Sequence, residues 1–206
     1  MGHLPREILL LMRHSANTIS ELSPDRDLVR AARAGDRVAY GELYQRYAPM
    51  VHGVLLARVT PDHVDDLLQE VFLKAMTQIT HLREDDHFGG WIAAIARNRA
   101  ADHYRLTRER QSTEDFATSI ATRGTPGSQA EARIALAAIQ ALPDAYRETL
   151  ALRLVEGMTG PEIANRTGLT PESVRVNLHR GMKLLRERLG ENQTRLVGGK
   201  ADVNHD

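Results

Sequence analysis

Five side chains near the end of the chain have the types and spacing to hold nucleic acid: Arg175, Val176, His179, Arg180 and Lys183. At ~100° per residue, Val176, His179, Arg180 and Lys183 fall on one side of a helix, with Arg175 on the flank. From Arg175 to Arg188, five cations stand against the single acid Glu187, in a chain whose 27 basic and 27 acidic residues cancel. Cations gathered in this way bind phosphate oxygens, and an arginine fork can also take a guanine edge through two hydrogen bonds. Arg180 has that capacity, Val176 offers an apolar contact such as a thymine methyl, and Lys183, farther along, suits phosphate. Asn177 lies near the edge of the packed side, a place for a structural role or a phosphate contact.

Two further constellations lie upstream. Residues 97–110 hold Arg97, Arg99, Arg105, Arg108 and Arg110 against Asp102 and Glu109, and Asn98 adds an amide suited to hydrogen bonding with a base or a strand backbone. Residues 62–72 hold Asp62, Asp65, Asp66 and Glu70 with no lysine or arginine, a face for a basic partner. Asp65, Asp66 and Glu70 could ligate a metal, but no matching histidine spacing accompanies them. The nine histidines show no H-E-x-x-H pattern, and Gly198-Gly199-Lys200 lacks the first glycine and the hydroxyl residue of a phosphate loop. No serine is bracketed by glycines as a nucleophile elbow requires. The sequence thus offers no catalytic residues, metal site, cofactor or small-molecule substrate.

The elements that must position these residues are helical. Thr159 followed by Glu162 is a capping-box pair, Gly168 marks a turn, and Thr170-Pro171 reads as the cap and first position of a second helix. A short helix, a tight turn and a longer basic helix make a DNA-binding helix-turn-helix, with Val174, Leu178, Gly181, Leu185 and Leu189 on its inward stripe. Upstream, the 3.6-residue period places helices from Asp25 through Leu55 with a kink at Pro49, from Thr60-Pro61 through Ile79, and from Phe88 onward. Thr80 to His87 reads as a polar loop, and Trp91 as a core anchor beside Phe88 and Ile95. In the second half, Ile134, Leu136 and Ile139 mark one helix, and Tyr146, Leu150 and Leu154 a second that follows Pro143. No useful strand alternation occurs, so the expected fold is all-α.

The expected domains are an N-terminal extension over 1–24, a helical domain over 25–106, a flexible linker over 107–129, a second helical domain with the helix-turn-helix over 130–190, and a disordered tail over 191–206. Cysteine is absent, which fits a reducing compartment. The apolar run Ile8 to Met12 is too short for a signal peptide or a membrane span, so a cytoplasmic location is expected. Zero net charge argues against indiscriminate coating of nucleic acid.

Asp65 to Ala75, D-D-L-L-Q-E-V-F-L-K-A, then Trp91 to Arg105, W-I-A-A-I-A-R-N-R-A-A-D-H-Y-R, then Leu142 to Leu189 resemble, in that order, the extracytoplasmic-function (ECF) sigma factors of bacterial RNA polymerase. The resemblance implies that Asp65, Asp66, Gln69 and Glu70 dock on the clamp helices of the largest polymerase subunit. It implies that Arg97, Asn98, Asp102 and Arg105 serve the minus-ten element, and that the second domain reads the minus-thirty-five element and meets the flap of the second largest subunit. It implies RNA polymerase core, promoter DNA and an anti-sigma factor as partners. Two positions depart from the family pattern: the loop before Phe88 is acidic at Glu84, Asp85 and Asp86, and Ala94 stands where a basic residue is common. A stand-alone helix-turn-helix regulator is the alternative, but it would not need the acidic face or the Asn98 to Arg105 cluster.

Overall fold

The computed structural model describes residues 24–113 and 128–198. The expected extension up to residue 23, the middle of the expected linker and the last eight residues lie outside them. Among the described residues there are eight α-helices and no strand, which is the expected all-α class.

Helix α1 (Asp25–Arg33) has acids in its first turn and arginines in its last, complementing its dipole. The Asp36 carboxylate caps α2 (Arg37–Leu56) by accepting from the Val38 and Ala39 amides at 2.8 and 3.2 Å. Helix α2 continues past Pro49 and is the central post of the first half, with Leu43, Met50, Val51, Val54 and Leu55 fully enclosed. A single 3-10 turn, Pro61–His63, leads into α3 (Val64–Gln78), which buries Leu67, Leu68, Val71, Phe72 and Ala75. The polar connection that follows contains two short 3-10 turns, Ile79–His81 and Asp85–His87, and then α4 (Phe88–Thr113) begins. Phe88 is fully buried, and Trp91 packs beside it with ring centroids 5.8 Å apart, as a core anchor should.

The second half consists of α5 (Ser128–Gln140), α6 (Asp144–Leu154), α7 (Gly160–Thr167) and α8 (Pro171–Gly198). Both ends of the expected 107–129 linker are therefore helical, and α8 runs on into the tail expected to be disordered. Extending an existing helix needs no new nucleation, so helix formers such as Arg108, Glu109 and Arg110 prolong α4 without any apolar stripe.

The two helical halves expected from the sequence are present, and they also pack on one another. Leu152, Met158, Ile163, Ala164 and Val174 belong to the same buried cluster as the core of the first half. The second half's own cluster is small: Ala138, Ile139, Leu142, Leu150 and Leu185. Helix α6 carries the junction, since Glu148 to Leu152 are all buried, five consecutive residues covered on more than one side. The face expected from Tyr146, Leu150 and Leu154 is accordingly rotated: Leu154 is exposed, and Leu152 points into the junction.

Candidate functional site

The helix-turn-helix forms as its caps dictate. Thr159 accepts from the Glu162 amide, and the Glu162 carboxylate accepts from the Thr159 amide at 2.8 Å, completing the box. Gly168 ends α7 at φ 74°, the left-handed conformation that favours glycine, and Thr170 caps α8 by accepting from the Ser173 amide at 3.1 Å. Along α8, Val174, Gly181 and Leu185 are buried and Leu178 and Leu189 half-buried, so the inward stripe is the one expected. Arg175, His179, Arg180 and Lys183 are exposed, Val176 and Asn177 half-exposed. Arg175 is engaged by Glu172 through two contacts of 2.6 and 3.1 Å, both partners in solvent, a pairing weak enough for phosphate to displace.

The acidic ridge sits on α3, with Asp65, Asp66, Gln69 and Glu70 all exposed. It is less uncompensated than its sequence implies, because Arg99 of α4 forms an ion pair with Glu70. Arg99 lies outside the 62–72 window, and only the packing of α4 against α3 brings it there.

Helix α4 separates the candidate minus-ten residues. Asn98, Asp102 and Arg105, at i, i+4 and i+7, share one ridge, and Asp102 forms an ion pair with Arg105. Arg97 is turned a quarter of the way round toward α6. There its Nε and Nη2 donate to the two Glu148 oxygens at 2.9 and 2.7 Å, while Arg58 donates to the same carboxylate at 2.7 Å. Burial alone would raise the Glu148 carboxyl, but the two guanidiniums, Arg97 foremost, outweigh it and hold it below the usual carboxylate range. The four candidate residues thus do not form one surface in this structure.

The acidic loop before Phe88 finds its explanation in α1. Asp85 is clasped by Arg30 at 2.8 Å and Arg33 at 2.9 Å, and Arg33 also donates to the Leu82 carbonyl at 2.8 Å. Asp86 meets Arg26 at 3.5 Å. The carboxylates anchor the loop to the helix, and Arg30, with Arg33 beside it, keeps Asp85 below the usual carboxylate range. Sequence reading missed these partners because each carboxylate pairing spans more than fifty residues along the chain. It missed Glu148 too, where the one available signal was a lone acid set directly before the uncharged run Thr149 to Leu152. Among the described residues no group of three potential metal ligands comes together.

Family models for Sigma-70 region 2 and Sigma-70 region 4 match residues 43–110 and 132–185. The chain is 34% identical over 163 residues to RNA polymerase sigma factor CarQ of Myxococcus xanthus, covering 77% of this chain and 94% of that one. It is 27% identical over 186 residues to the ECF RNA polymerase sigma-E factor of Haemophilus influenzae, covering 83% and 98%. Two solved structures share the fold. CnrH in complex with the cytosolic domain of CnrY aligns with a TM-score of 0.57 at 24% identity, covering 82% of this chain and 99% of that one. The sigma factor RpoE in complex with the anti-sigma factor NepR, from Bartonella quintana, aligns with a TM-score of 0.51 at 19% identity, covering 73% and 96%. The acidic ridge and α4 as far as residue 110 fall within the first family match, and α7 with α8 as far as residue 185 within the second. The chain belongs to the ECF sigma factors of bacterial RNA polymerase.

Proposed function

We propose that this chain grips RNA polymerase core through the α3 ridge of Asp65, Asp66, Gln69 and Glu70 and directs it to promoters by reading two DNA elements. The observation that carries this reading is the presence of three separate surfaces on one chain: an acidic ridge, a polar α4 ridge and the basic face of α8. A stand-alone regulator would use only the last. Arg175, Val176, His179, Arg180 and Lys183 enter the minus-thirty-five element. Asn98, Asp102 and Arg105, joined by Arg97, serve the minus-ten element. The domain boundaries follow: region 2 over 25–106 and region 4 over 130–190, with a linker between them. Once one reader is engaged, the connecting chain keeps the other at high effective concentration. Opening the duplex costs about a few kcal/mol per unstacked step, which arginines on the strand backbone and a pocket for an extruded base offset.

The chain works by binding and catalyses no reaction of its own. Since RpoE, which has this fold, was solved with an anti-sigma factor, a partner of that class is proposed here too. No described helix is long and apolar enough to cross a membrane, and a polymerase subunit works in the cytoplasm. Run-off transcription tests the reading: with purified core polymerase and a library of upstream sequences, the chain should yield transcripts from a defined start. Core that stays silent, or initiates equally without the chain, rejects it.

A further inference from the structure

The contact between the halves has the features of a built device. Glu148 of α6 is only 5% exposed and seats its carboxylate between Arg58 and Arg97 of the first half. Beside it, His52 meets Glu156 at 2.6 Å, and the Gln140 amide donates to the carbonyls of Leu56 and Val59 at 2.8 and 2.9 Å. The halves come close at two glycines. A β-carbon on Gly53 would lie 2.7 Å from Leu152 Cδ2 and 2.9 Å from Glu156 Cγ, and one on Gly89 would lie 2.2 Å from the Arg166 carbonyl oxygen. At Gly53 the obstructing atoms all belong to the second half, so a side chain there would oppose closure and leave the first half's own core untouched.

We propose that Glu148 is an internal latch: it occupies Arg97, keeps the two halves closed in the free chain, and must be released before the promoter can be engaged. The inference rests on the sigma reading for what Arg97 does when released. The carboxylate offers Arg97 two oxygens in the bidentate geometry that a strand phosphate would offer, so latch and DNA compete for one side chain. Closure also holds the helix-turn-helix against the first half through α6 and α7, which prevents the two readers from spanning separated DNA elements. The α3 ridge stays exposed in the closed chain, with only Asp65 near enough to act on His52 at the junction, so polymerase docks on the closed chain and opening follows on the enzyme.

The test uses the full chain. Cysteines introduced at the exposed positions Gln45 and Glu187, in a chain with none of its own, carry a donor and an acceptor dye. Free wild type should show high energy transfer. Gly53→Leu and Glu148→Arg should each lose most of it while keeping the wild-type helical circular dichroism, and core polymerase should bring wild type down to their level. Free Gly53→Leu should also bind a fluorescein-labelled single-stranded oligonucleotide of mixed sequence about tenfold or more tightly than wild type, the gain expected when closure leaves a tenth or less of the chain competent. The latch is overturned if free wild type already shows low transfer, or if both folded variants match wild type in transfer. Unchanged oligonucleotide affinity in an open Gly53→Leu also overturns it, as does transfer that stays high on core. If no version supports run-off transcription while the dyes still separate wild type from the variants, the sigma reading fails and the closure device stands.

Discussion

At the scale of single residues, the recognition helix can be divided between reading and holding. Arg180 stands exposed on the face opposite Val174 and Gly181, engaged by no acid among the described residues, and can place its fork on a base edge. Lys183 lies one turn nearer the helix end, where an ammonium meets phosphate as a point charge. Arg180→Ala should therefore relax preference at one position of the minus-thirty-five element, by ~1 to 3 kcal/mol between bases. Lys183→Ala should weaken all promoters alike and reduce the salt slope by about one. Binding to a randomised upstream element at two salt concentrations checks both, and a swap of the two phenotypes would mean that α8 sits differently in the groove. Much of this was legible in the sequence, because caps and helical period are local: Thr159, Glu162, Gly168 and Thr170 act on neighbours within a few residues. The loop at Asp85 was illegible for the opposite reason. Its acids look out of place near DNA until Arg30 and Arg33 arrive from a helix some fifty residues upstream.

At the scale of elements, α3 and α6 illustrate how the same physics succeeds and fails. Helix α3 has one face on the core and one in solvent, so its period sorted Val64, Leu67, Leu68 and Val71 from Asp65, Asp66, Gln69 and Glu70 correctly. Helix α6 is enclosed on more than one side, and a helix covered all round leaves no stripe to read. The Arg99 to Glu70 pair also changes how the ridge should be probed. A lysine at Glu70 would repel Arg99 and disturb α4, whereas Asp65 and Asp66 have no ion-pair partner among the described residues. The double variant Asp65→Lys, Asp66→Lys should keep the wild-type melting temperature and compete for core polymerase about tenfold less well, a loss of ~1.4 kcal/mol. Unaltered competition would place the docking surface elsewhere.

At the scale of the whole molecule, the junction carries two titrating pairs of opposite sign. Glu156, through its hydrogen bond, raises the His52 imidazole above its ordinary 6.5, with burial opposing and Asp65 adding a smaller pull. That contribution to closure is complete below the ordinary value and is lost as pH rises through the raised one. The Glu148 carboxyl lies below its ordinary 4.5, so its contribution is complete above that value and is lost as pH falls through the lowered one. Closure should be firmest in weakly acidic solution. Energy transfer between the halves should decline as pH is raised from the ordinary histidine value into the alkaline range, and His52→Gln should flatten that decline; transfer that climbs with pH would contradict the pairing. The junction as a whole escaped the sequence because it is an agreement between distant surfaces, each of which makes sense alone. Gly53 gives that agreement a genetic dimension. Every amino acid that can replace glycine brings a β-carbon, so any missense change in that codon pushes against Leu152 and Glu156. The resting position of this factor can thus drift toward permanently open in one mutational step, with every side chain that reads DNA or grips the enzyme still in place.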